Sequence, residues 1–212
     1  MKPLKPKTKL NVGVLALQGG FEEHLTMLRH LKVPCKEVRN LNDAKDITHL
    51  ILPGGESTVL RKLLDKTGLY EWILKKGQAG FPIFGTCAGM IILAKNHMGL
   101  MDIEVDRNAY GRQLSSFEDT LSNGFPGIFI RAPKIKTIGP KVEVLARHGK
   151  DPVWLAQKNI MVASFHPELT SDPAIHQYFI DKIKEYDRIN PNPLSLSTNA
   201  TRRNSKNSAN RR

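Results

Sequence analysis

The chain has 212 residues, 40% of them hydrophobic and 25% charged, the size and balance of one sizeable α/β domain. No apolar run nears the ~20 residues that span a bilayer, "MKPLKPKTKL" lacks the apolar stretch of a secretory signal, and two cysteines make no disulfide framework, so a cytoplasmic protein with no membrane partner is expected. The net charge of +12 sits at the ends: setting aside the four lysines of residues 1–9 and the five basic residues of 201–212 leaves +3 for the remainder, so no specific nucleic-acid partner is implied.

The first half alternates strand-like and helix-like segments. "LNVGVLAL" (10–17) is a continuous apolar run ending in "QGG", the pattern of a buried strand and a turn. "FEEHLTMLRHL" (21–31) places apolar residues at 21, 25, 28 and 31, a helical stripe. "CKEVRN" and "HLILPGG" (49–55) are the next strands, residues 57–77 a helical region broken near Gly68, "FPIFG" a fourth strand and "CAGMIILAK" a helix. Such alternation predicts βαβ units and a mostly parallel sheet covered on both faces.

The second half is richer in short β-like runs: "MDIEVDRNAY", "GIFIRAP", "KVEVLARHG", "VWLAQKN" and "IMVASFHPEL". These predict an antiparallel extension of the sheet or a second small sheet, before an amphipathic helix over 172–189. The predicted organisation is a basic extension (1–9), one domain (10–189) and a basic, disordered tail (190–212).

Three strand ends carry chemistry. Gly85-Thr86-Cys87-Ala88-Gly89 has the form of a nucleophile elbow, in which a strained strand-to-helix turn exposes a nucleophile between small neighbours. The N-terminus of the following helix favours thiolate, and the Ala88 N–H is a candidate oxyanion donor. The alternative for the pentapeptide alone is a buried structural cysteine beside a turn. His166 ends an apolar run and is followed by Pro167 and Glu168. In an extended chain residues i and i+2 share a side, so Glu168 is expected to reach the His166 ring and orient it as a base. The other six histidines, His24, His30, His49, His97, His148 and His176, show no partner pattern and are expected to be surface or packing residues. "LPGGES" (52–57) supplies a loop where Gly54 or Gly55 can turn an N–H toward a reaction centre.

Together, "GVLALQG", "LPGGEST", "GTCAGMIILAK", "DRNAYGRQ", "IRAP" and "SFHPELT", in order from about residue 11 to 187, resemble the glutaminase subunits of pyridoxal 5′-phosphate synthase, which are class I (triad) glutamine amidotransferases. The resemblance implies a flavodoxin-like three-layer fold and hydrolysis of L-glutamine, with ammonia passed to a synthase subunit in a large hetero-oligomer. It implies Cys87 as nucleophile, His166 as base and acid, and Glu168 as its orienter. Gly55, Glu56, Ser57, Arg107, Ile130 and Arg131 match the family's glutamine contacts, and Gly54 or Gly55 is implied as an oxyanion donor beside the Ala88 N–H. No metal or organic cofactor is implied. The segment 96–98 is shorter than usual in that family, and Gln18 is expected to face the partner and couple docking to activation. A triad amidotransferase of another pathway, an elbow-cysteine peptidase and a non-catalytic module on the same fold remain alternatives.

Overall fold

Apolar residues alternate between two cores along each central strand. In the computed structural model, which describes residues 10–107 and 116–189, β1 (Val12–Leu15), β2 (Cys35–Val38), β3 (His49–Leu52) and β4 (Ile83–Thr86) pair in parallel. Val12, Val14, Ile51 and Phe84 enter one core, where α1 (Phe21–His30) contributes Leu25 and Leu28. Leu15, Leu50, Leu52 and Ile83 enter the other, against α2 (Ser57–Thr67), α3 (Leu69–Gln78) and α4 (Ala88–Leu93). The break between α2 and α3 falls at Gly68, whose φ of 72° is left-handed. The helix after β4 is shorter than its apolar run suggested, because Ala94 turns extended and bridges to Met101.

The second half adds β5 (Ile103–Asp106), β6 (Phe117–Thr120), β7 (Pro126–Phe129), β8 (Lys134–Ile138), β9 (Glu143–His148), β10 (Asp151–Gln157) and β11 (Ile160–Ala163). Both expected arrangements occur. The main sheet has the order β2-β1-β3-β4-β11-β10-β9, with β11 parallel to β4 and the β11-β10-β9 edge antiparallel. Two small antiparallel pairs, β5 with β8 and β6 with β7, stand apart from it. β6 and β8 lie in "FEDT" and "KIKTI", which carry too little apolar alternation to be read as strands. α5 (Ala174–Ile189) closes the α1 side with Ile175, Phe179 and Ile180. The result is the expected three-layer α/β architecture with a small antiparallel extension. Among the described residues no helix is long and apolar enough to cross a membrane. The expected basic ends at 1–9 and 190–212, and most of "DRNAYGRQ", lie outside the described residues.

One glycine ties this architecture to the turn after β4. A Cβ on Gly89 would fall onto the Leu52 carbonyl of β3, so only glycine lets α4 start so close to the sheet. Gly89→Ala is therefore expected to cost about 1–3 kcal/mol through overpacking. Urea unfolding measures this, and an unchanged midpoint would contradict the close approach.

Candidate active site

Strand register brings the three reactive segments to one edge. Leu52 pairs with Gly85 and Thr86 with Ala163, so the loop after β3, the turn after β4 and the segment after β11 leave the sheet side by side. Ligands of open α/β sheets bind at such carboxyl edges.

Cys87 sits at the turn with φ 45° and ψ −102°, a left-handed backbone at a non-glycine residue. Such conformations cost of order 1–3 kcal/mol and persist only when neighbours enforce them. Here the Cys87 N–H donates to the Ala163 carbonyl at 2.8 Å, and the Cys87 carbonyl accepts from the Ile91 N–H at 3.2 Å. The side chain is buried at 6% exposure, with Sγ 4.0 Å from the Ile130 carbonyl. Ala88 follows as the first residue of α4, where backbone N–H groups have no partner within the helix.

His166 is fixed from the other side, its N–H donating to the Ile128 carbonyl of β7 at 2.8 Å. Its Nδ1 meets Glu168 Oε1 at 2.8 Å, and its ring also interacts with the Cys87 side chain. The local geometry differs from the extended chain expected. Pro167–Leu169 is a 3₁₀ turn, because the proline's fixed φ suits a helical first position as well as an extended one. The turn still returns Glu168 to the ring. Burial opposes charge on His166, but the hydrogen bonds to Cys87 and Glu168 prevail and raise its pKa to about 10. His166 thus holds a proton in the resting site. Burial favours the neutral acid of Glu168, yet the facing His24 ring and the protonated His166 outweigh it and hold the carboxyl below its usual range.

The glycine loop lies against this pair. A Cβ on Gly54 would strike the His166 ring and stand 3.3 Å from Cys87 Cβ, so only a bare backbone fits there. Gly55 follows with φ 126°, and the Glu56 N–H donates to Gln18 Oε1 at 3.1 Å. Gln18 Nε2 is buried with no hydrogen-bond partner. The Glu56 carboxylate also caps α2, accepting from the Thr58 and Val59 N–H groups at 2.9 and 2.7 Å, which holds its pKa down. The Arg107 guanidinium donates to Ser57 Oγ at 3.4 Å. Ile130 and Arg131 follow β7, both exposed, with Arg131 at φ 47°. Every expected site residue therefore lies in one of these converging segments or beside one.

Two histidines depart from the expectation of surface or simple packing roles. His24 and His176 are both fully buried, and His24 Nε2 stands 3.4 Å from Glu168 Oε2. The available signal was position, since His24 falls on the buried stripe with Leu25 and Leu28, and His176 beside Ile175 and Phe179. His49 does pack, edge-on to Phe179, and His148 meets Asp119 at 2.7 Å.

The model of the SNO glutamine amidotransferase family matches residues 14–185. The pyridoxal 5′-phosphate synthase subunit PdxT of Thermosipho africanus is 46% identical over 188 residues, covering 83% of this chain and 100% of the relative. The subunit of the same name from Francisella tularensis is 48% identical over 174 residues, covering 80% and 97%. A crystal structure described as a glutamine amidotransferase superposes with a TM-score of 0.76 at 45% identity, covering 80% of this chain and 97% of that one. A putative GMP synthase subunit from Thermoplasma acidophilum, at 19% identity and a TM-score of 0.65, shares the fold.

The raised His166 pKa can be measured directly. Nitrogen-resolved NMR of the histidine rings should find His166 protonated through neutral pH, with a midpoint near 10, and Cys87→Ala should bring it back toward 6.5. Because the folded value is the higher one, the stabilisation from this pair is complete below about 6.5 and fades as pH rises through about 10. A wild-type midpoint near 7 would contradict the pairing.

Proposed function

This chain belongs to the SNO glutamine amidotransferase family, and from that premise we propose that it is the glutaminase subunit of a pyridoxal 5′-phosphate synthase. It hydrolyses L-glutamine to L-glutamate and ammonia and delivers the ammonia to a synthase subunit. The observation that carries the reading is the alignment of a strained cysteine, a proton-holding histidine and a buried carboxylate beside a bare glycine backbone.

The chemistry follows from these positions. Cys87 Sγ attacks the side-chain amide carbon of glutamine, and the oxygen becomes an oxyanion facing the Ala88 N–H and an N–H from the Gly54–Gly55 loop. His166 gives its proton to the amide nitrogen, the C–N bond breaks, ammonia leaves, and a γ-glutamyl thioester remains. His166, now neutral, takes a proton from water as that water attacks the thioester; glutamate and the resting pair are regenerated. Glu168 keeps the ring in the tautomer that serves both steps.

Recognition of free glutamine calls for groups matched to its carboxylate and ammonium. Arg107, held beside Ser57, suits the carboxylate. Glu56, pinned at the start of α2, offers a fixed anion to the ammonium. Gly55, the Ile130 carbonyl and Arg131 complete the surround. Gln18, bonded to the Glu56 N–H with an unpartnered amide of its own, couples docking of the synthase subunit to the donor loop. We place the enzyme in the cytoplasm and its domain at residues 10–189, within a large hetero-oligomer.

The deciding experiment is mass spectrometry of Cys87 after exposure to a diazoketone analogue of glutamine, with and without the synthase subunit. The expected result is labelling at Cys87 that depends on the partner and is lost in His166→Ala. Labelling indifferent to the partner would point to another pathway, and a folded, docking-competent chain that is never labelled would overturn the glutaminase reading.

A further inference from the structure

The line of buried polar groups does not stop at Glu168. Its Oε1 is occupied by His166, while Oε2 is buried without a hydrogen-bond partner and faces His24 Nε2 at 3.4 Å. The same Nε2 stands 3.3 Å from the hydroxyl of Thr86, the residue just before the nucleophile. Behind it, His24 Nδ1 lies 2.8 Å from His176 Nε2 of α5. All four groups are buried, so each proton must be matched within the protein.

One proton assignment leaves the least unmatched. With both rings protonated at Nε2, His176 donates to His24 Nδ1, and His24 directs its Nε2–H at Glu168 Oε2 and Thr86 Oγ1. The one group left over is the His176 Nδ1 lone pair. The reverse assignment aims the His24 lone pair at a carboxylate and buries a His176 N–H with no acceptor, the costlier failure. Burial holds both rings below the ordinary histidine pKa, so each serves as a neutral ring.

We propose that His24 is a positioning residue of the triad, its Nε2–H holding the second oxygen of Glu168, with His176 fixing the tautomer that makes His24 a donor. The inference rests on the glutaminase reading. The titratable groups facing Glu168 are His166 on its own turn and His24 and Glu23 on α1, with His176 on α5 behind His24. A donor to the charged carboxylate favours the ionised form, so its loss should make Glu168 protonate at higher pH.

The test compares His24→Gln, whose side-chain amide can place N–H where Nε2–H stood, with His24→Asn, too short to do so, and His24→Leu. Each is assembled with the synthase subunit and assayed for glutamine turnover against pH. Cys87 alkylation by iodoacetamide against pH is a second readout that needs no glutamine. Asn and Leu should lower kcat by about tenfold or more with KM little changed, and should move the acid limb of both profiles to higher pH. Gln should restore the limb and most of kcat. Folded, docking-competent Asn or Leu variants with an unmoved acid limb would overturn the proposal, as would a Gln variant no better than Asn. Should the unmodified complex release no ammonia, the glutaminase reading falls, while the alkylation profiles still decide the role of His24.

Discussion

Three parallel strands that end level are the constraint on which the site depends. The β3-β4-β11 register is locked from both faces: a one-residue slip would carry Ile51, Phe84 and Met161 into the core built for Leu50, Leu52, Ile83 and Val162, and the reverse. Because both faces are buried, no register but the observed one is tolerable. The glycine loop, the cysteine turn and the histidine segment therefore emerge together from parts of the sequence far apart. Hydrophobic burial, which is non-directional, is converted into positional accuracy by the two-residue period of the strand.

That rigidity also supports the strain at Cys87. Its backbone is held from two sides, by the hydrogen bond to Ala163 and by the approach of α4 to β3 that Gly89 permits. Relaxing φ to a negative value would break the first and push the helix off the sheet. The short α4 contributes only a modest field, so the main positive charge beside the sulfur is that of protonated His166. Strain thus fixes where the Cys87 side chain points, and His166 supplies positive charge beside it, two separate devices meeting at one atom.

How far the site was legible in the sequence follows from the range of each signal. The elbow, the His-Pro-Glu run and the glycine loop are local patterns, and each needs only its neighbours to make chemical sense. The break at Gly68 was equally local. What escaped was non-local or had two local solutions. Proline is compatible with extended and helical backbone, so the 3₁₀ turn at Pro167 could not be told from a strand end. Glu56 is both a loop acid and a helix cap, and the cap became visible only with the Thr58 and Val59 amides in place. β6 and β8 are strands by virtue of their partners, not of their own residues. His24 and His176 are 152 positions apart, and nothing near either names the other.

Their place in the layers explains why such residues sit behind the sheet. A carboxylate buried as Glu168 is must have both oxygens balanced, since water cannot solvate it. His166 balances one from the reactive side. The other faces inward, where only α1 and α5 can reach, and a charged partner there would compete with His166 for the carboxylate and lower its proton affinity. A neutral ring avoids that conflict: it offers an N–H without adding positive charge. Burial keeps His24 neutral, and His176 turns its donor the right way. The helical layer thus does more than cover the sheet, because it sets the electrostatic balance of a triad whose other members all lie on the opposite side of Glu168.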